Sequence, residues 1–309
     1  MDARVRIAAG RLLVAALAAC AASCAGVPGA ITDRAVAYEV ETTGNVRYGS
    51  DGLTDVTPKH SLDVYRPKGV TDAPVLIFIH GGAWVAGDKA FHRNVGRTFA
   101  ERGFVVVSVN YGLAPWTKHP GQVRDVARAF DWVRKHVAEY GGNPGDVFLS
   151  GHSAGGHLAT LLALNEKYLA EVGYSKADVS GVIGISGVYR VGGTGPLFGN
   201  IFANDEATLR DASPVMQVGD RQPPVLVLYA DHELTGLDAL AVDFDETLRQ
   251  HHSPTRLVKV PNRTHHSMIT SVGSADDPAT REMLRFIRRY SRTPAGPVRR
   301  SLDEGGKAP

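Results

Sequence analysis

Ser153 lies in the pentapeptide Gly151-His152-Ser153-Ala154-Gly155, a G-x-S-x-G pattern. A serine hydroxyl is a weak nucleophile at its own pKa. It attacks a carbonyl only where the backbone presents it to a base and to donors for the negative charge that follows. The flanks supply that presentation: Val147-Phe148-Leu149 reads as a strand, and His157-Leu158-Ala159-Thr160-Leu161-Leu162 as a helix. Strand, sharp turn and helix form a nucleophile elbow, with Ser153 Oγ exposed at the carboxyl edge of a sheet. Glycine is needed two positions to either side, because the strained turn leaves no room for a side chain. With 34 glycines in the chain the pentapeptide alone is weak, and it is the flanking pattern that sets this one apart. Upstream, the apolar run Pro74 to Ile79 leads into His80-Gly81-Gly82-Ala83-Trp84. Backbone N–H groups near Gly82 and Ala83, with that of Ala154, are the candidate oxyanion hole for a carbonyl oxygen that gains charge during acyl transfer. His80 is a base by type, but in this place it reads more simply as a prop for the loop, and Trp84 reads as packing.

With these two motifs the chain resembles the carboxylesterase branch of the α/β-hydrolase superfamily, which carries H-G-G-x-W and G-x-S-A-G-G signatures. The resemblance extends from about Ser61 to the helix ending near Tyr290. It includes Ser61-Leu62-Asp63-Val64-Tyr65-Arg66-Pro67, Asn110-Tyr111-Gly112-Leu113-Ala114-Pro115 and Ala138 to Pro144. Members resembling hormone-sensitive lipase, feruloyl and acetyl-xylan esterases, kynurenine formamidase and isoprenylcysteine methylesterase share these features, and the motifs do not choose among them. The resemblance implies a triad in the order serine, acid, histidine. The strand-like run Pro224 to Tyr229 precedes Ala230-Asp231-His232-Glu233, where relatives commonly carry Gly-x-x-Asp. That alignment puts Ala230 at the glycine and Glu233 at the acid, and Asp231 competes with it. The run Thr255 to Val260 precedes Thr264-His265-His266-Ser267, and the resemblance assigns the base to His265, with His266 as a packing neighbour. His152 and His157 flank the elbow and either line the pocket or pack, while His251 and His252 suit the end of a helix. No histidine grouping has metal-ligand spacing, so no metal and no cofactor are expected.

The elements around these motifs alternate. Strand-like runs at Val75 to Ile79, Phe104 to Asn110, Val147 to Leu149, Val179 to Ile185, Val225 to Tyr229 and Leu257 to Val260 are interleaved with helix-like stretches. The helices fall at Phe91 to Arg102, Gln122 to Tyr140, Ala154 to Leu164, Asp238 to His251 and Thr280 to Arg289. Such alternation predicts an α/β fold, a doubly wound and mostly parallel sheet with flanking helices, over residues 31–292. The stretch from Gly187 to Pro223 is Gly-rich, with one helical pattern around Glu206 to Arg210 and no second apolar helix, so it predicts at most a small cap. Residues Ile31 to Pro58 predict either a further cover or two strands near Val36 to Val40 and Asn45 to Tyr48. Residues 293–309, rich in Pro, Gly and charge, read as a disordered tail.

Arg4, Arg6 and Arg11 precede the apolar stretch Leu12 to Ala19, which makes residues 1–25 a secretory signal too short to span a bilayer. Leu17-Ala18-Ala19-Cys20 resembles a lipobox, so either Cys20 is lipidated and anchors the protein to a membrane, or a plain signal is cleaved after Ala25. The protein is then exported in either case. Both cysteines lie in this segment, which leaves the folded domain without a disulfide. Removal of residues 1–19 takes away three Arg and one Asp and leaves 31 basic and 31 acidic residues, a balance with no footprint for nucleic acid. These residues predict a serine carboxylesterase acting on small-molecule, short-acyl esters. A formamidase with the same residues, or a catalytically silent binding module on the same fold, are the alternatives.

Overall fold

The computed structural model describes residues 37–49, 59–192, 196–274 and 276–293, with the side chains of residues 196 and 197 excepted. The signal segment with Cys20 and residues 294–309 of the tail lie outside the described residues. Eight strands form one sheet: β1 (Val40–Arg47), β2 (Ser61–Pro67), β3 (Ala73–Ile79), β4 (Val105–Val109), β5 (Gly142–His152), β6 (Gly181–Ile185), β7 (Val225–His232) and β8 (Thr255–Thr264). Their order is β1-β2-β4-β3-β5-β6-β7-β8. β2 pairs antiparallel with both β1 and β4, and every other pairing is parallel.

Every residue of β3, β4 and β6 is buried, as expected of parallel strands covered on both faces. The pleat divides the core in two. Val75, Ile77 and Ile79 of β3 join one apolar cluster, and Leu76 and Phe78 join the other. Phe130 of α2 (Gly121–His136), Leu161 of α3 (Ala154–Leu164) and Phe244 of α7 (Leu237–Gln250) cover the first face. Phe99 of α1 (Arg93–Ala100) and Met283, Phe286 and Ile287 of α9 (Pro278–Tyr290) cover the second. This is the doubly wound sheet that the alternating pattern predicts, and it carries the elbow serine at the carboxyl end of β5, between β3 and β6. The shorter helices are α4 (Glu166–Ala170), α5 (Pro196–Phe202), α6 (Glu206–Asp211) and α8 (Ser267–Thr270).

Two expectations are corrected. In place of two amino-terminal strands, the described part holds β1 alone. Its register slips between Thr43 and Val46. Gly44-Asn45 is a bulge with Asn45 at φ 58°, and Asp63 accepts the Asn45 backbone N–H at 2.8 Å. The cap stretch does hold a second apolar helix, α5, whose Phe198, Ile201 and Phe202 are buried. In seven residues helical periodicity is too brief to stand out among neighbouring glycines.

Candidate active site

The backbone of Ser153 lies at φ 54° and ψ −118°, a region that costs a non-glycine residue free energy and persists only where the surroundings enforce it. The enforcement is visible. Ser153 N donates to Ile185 O of β6 at 2.9 Å, and Ser153 O accepts from His157 N at 3.0 Å. A Cβ on Gly151 would stand 2.3 Å from Gly155 C, and one on Gly155 only 2.1 Å from Ile79 O. The glycines therefore let α3 start flush against the ends of β3 and β5. The Ser153 N–H is spent on β6, whereas Ala154, the first residue of α3, keeps an N–H that the helix cannot use.

The turn after β3 abuts the serine. A Cβ on Gly81 would lie 3.3 Å from Ser153 Cβ. Gly82, Ala83 and Trp84 all adopt positive φ, at 118°, 51° and 61°. Among the described residues, no acceptor takes the backbone N–H of Gly82 or Ala83. His80 is fully buried, stacks on Tyr111 at 4.5 Å between ring centres, and donates from Nδ1 to Gly81 O at 2.7 Å. Burial pushes its pKa down to about 4, which keeps it neutral in a prop's place beneath the turn.

His265 and Glu233 meet across β7 and β8: His265 Nδ1 lies 2.6 Å from Glu233 Oε1. A carboxylate can only accept, so Nδ1 is the protonated nitrogen, and the neutral tautomer this bond selects has its lone pair on Nε2. Glu233 also accepts from Ser186 Oγ at 2.5 Å, from Ala230 N at 3.1 Å and from Leu234 N at 2.9 Å. Burial alone would raise its carboxyl pKa, but the bonds from His265 and the other donors outweigh it and hold the group below its ordinary value. Ser186, at φ 47° just past β6, is a partner that the sequence reading missed. Its only signal is its position at the carboxyl end of a buried strand.

Asp231 is elsewhere. It accepts from Asn262 N at 2.7 Å and Arg263 N at 2.9 Å, and makes no bond to His265 among the described residues. His266 touches His265 edge-on at 5.8 Å between centres. His152 ties the elbow to the histidine loop, with Nε2 donating to His265 O at 2.9 Å. His157 donates from Nε2 to Ala212 O at 2.7 Å and accepts from Trp84 Nε1 at 3.1 Å, so it packs behind the turn. Among the described residues, no group of three or more His, Cys, Asp or Glu side chains is arranged to hold a metal ion.

The sheet order with helices on both faces, and a strained serine where β5 enters α3, are those of an α/β hydrolase. Within that class the chain belongs to the BD-FAE family, whose model matches residues 62–235. Esterase LipC of Mycobacterium tuberculosis is 31% identical over 276 residues, which cover 81% of this chain and 66% of LipC. A probable isoprenylcysteine alpha-carbonyl methylesterase of Arabidopsis thaliana is 28% identical over 232 residues, 67% of this chain and 48% of its own. The chain thus spans about half to two thirds of the length of these curated relatives. Among solved structures, esterase B from Lactobacillus rhamnosis superposes with a TM-score of 0.71 at 22% identity, covering 93% of this chain and 94% of that one, a likeness of fold.

Proposed function

We propose that this protein is a serine carboxylesterase that hydrolyses short-acyl esters through an acyl-enzyme on Ser153. The observation that carries the reading is the 2.6 Å bond between His265 Nδ1 and a four-donor Glu233, on the same sheet edge as a strained serine elbow. In this mechanism His265 Nε2 takes the Ser153 proton as Oγ attacks the ester carbonyl. Glu233 fixes the tautomer and stabilises the imidazolium, and the N–H groups of Gly82, Ala83 and Ala154 hold the oxyanion. The imidazolium then gives its proton to the leaving alkoxide, and water repeats the sequence on the acyl-enzyme. The esterase names of the relatives support the same chemistry.

The short-acyl preference rests on the cap. Each methylene of a longer acyl chain contributes about 0.8 kcal/mol only if an apolar wall receives it. Here Phe198 and Phe202 turn their rings onto Trp84, with centres 6.0 and 4.9 Å away, and are themselves buried. They are engaged with the protein and leave little wall for a long chain.

Fluorophosphonate labelling tests the chemistry: Ser153 carries the label in the wild type, and Ser153→Ala loses both label and turnover. A folded, unlabelled wild type would instead favour a silent binding module. Across nitrophenyl esters from acetate to palmitate, kcat/KM is expected to peak between acetyl and butyryl. A peak at about eight carbons or longer would refute the short-acyl part, and faster cleavage of formanilides than of any ester would point to a formamidase.

A further inference from the structure

The oxyanion turn is an improbable piece of backbone, with three consecutive residues at positive φ, two of them not glycine. Gly82 O accepts from Val85 N at 3.1 Å and from Ala86 N at 2.9 Å within the turn, His80 props it from beneath, and a further hold comes from Trp84. Its carbonyl accepts from Ala114 N at 2.9 Å, its ring is 1% exposed, and its indole N–H is taken by His157 Nδ1 at 3.1 Å. An indole nitrogen only donates, so His157 Nδ1 is an acceptor, and Nε2 bears the hydrogen given to Ala212 O at 2.7 Å. Only neutral imidazole can make both bonds, and burial, pushing the His157 pKa down to about 3, keeps it so.

Ala212 caps α6, and its neighbour Asp211 is pinned in turn. Asp211 accepts from His119 Nε2 at 2.9 Å, from Lys167 Nζ at 3.2 Å and from the Tyr168 hydroxyl. The cap is thus tied to the loop after β4 and to α4, and through one imidazole to the turn that offers the N–H groups of Gly82 and Ala83.

We propose that His157 is a positioning residue for the oxyanion turn, joining the indole of Trp84 to the cap at Ala212 so that the cap buttresses the donor pair. The inference rests on the esterase reading of the site. A purely structural His157 would contribute stability and leave the turnover of folded enzyme alone. A positioning one changes kcat at constant KM, because the donors grip the carbonyl oxygen harder in the transition state than in the bound ester.

The test compares the full-length wild type with His157→Phe, Trp84→Phe, the double variant and His157→Asn, using kcat per fluorophosphonate-titrated site on nitrophenyl acetate. Each Phe variant should lose roughly tenfold to a hundredfold in kcat, with KM within about threefold. The double variant should be no worse than the poorer single one, since both cut one link. His157→Asn, which keeps an acceptor near the Nδ1 position, should regain most of the loss. Unchanged kcat per site with a lower melting temperature would overturn the proposal, as would losses that multiply or an Asn variant as poor as Phe. If His157→Phe does not fold, Trp84→Phe decides by the same criterion. A wild type that neither labels nor turns over would sink the esterase reading and this proposal together, whereas an active wild type with unaffected variants sinks only the role of His157.

Discussion

Asp231 and Glu233 face different partners because β7 and β8 fall out of step between them. Ala230 pairs with Val260 and His232 with Thr264, so β8 carries extra residues opposite Asp231. The unpaired N–H groups of Asn262 and Arg263 in that bulge are what the Asp231 carboxylate accepts. Glu233, the first residue past the strand, is free to turn back to His265. Glu233→Gln should lower kcat by roughly two to four orders of magnitude with the fold intact, because an amide no longer fixes the tautomer or balances the imidazolium. Asp231→Asn should leave kcat within about threefold and lower the melting temperature modestly, because an amide cannot satisfy both bulge donors. The reverse outcome would move the acid to Asp231. Spacing alone left the two carboxylates open, since strand register beyond Tyr229 is set by a neighbour distant in sequence. Ser153 was legible because its elbow is local: strand, glycines and helix occupy one continuous stretch. The link from Ser186 to Glu233 left no trace, as it depends on two strand ends that only the folded sheet brings together.

Packing at the elbow depends on the contact between α3 and β3, and Gly155 is where it is tightest. A Cβ there would stand 2.1 Å from Ile79 O and 2.5 Å from His80 O, both backbone atoms that cannot swing away. Gly155→Ala should therefore push α3 off the sheet, destabilise the protein by about 1–3 kcal/mol, as overpacking does, and slow labelling of Ser153. Gly192→Ala, with nothing among the described residues within 4 Å of its Cβ, should stay within about 0.5 kcal/mol of wild type. Urea unfolding of the two variants checks both, and equal effects would mean that the motif glycines serve chain flexibility and not close approach. Elements with long periodic patterns, such as α2 and α7, were legible to within a few residues. The seven-residue α5 was not, and neither was the bulge that makes β1 one strand, because short or irregular elements owe their shape to the core they cover.

At the scale of the whole molecule, the sheet buries histidines as well as apolar side chains. His80, His92 and His157 are held neutral by burial, with pKa values pushed down to about 4, 3 and 3, and His152 is pushed well below the ordinary range. In the unfolded chain each would titrate near the ordinary value of about 6.5. Below that pH the unfolded state binds protons that the folded state refuses, so stability is complete above about pH 6.5 and falls as the pH drops toward the folded values. Glu233, Asp211 and Glu282, whose carboxyls are held below their ordinary range, add a loss of the same sign at lower pH. Between pH 6 and 5 the histidines therefore dominate, each contributing up to about 1.4 kcal/mol per pH unit. Urea unfolding at pH 7, 6 and 5 should show stability declining with a slope of several kcal/mol per unit. His92→Gln, which removes a half-buried imidazole packed edge-on against Phe78, should reduce that slope by about one proton's worth. A wild-type stability flat from pH 7 to 5 would mean that these imidazoles take up protons without unfolding, and that the interior behind the elbow admits water.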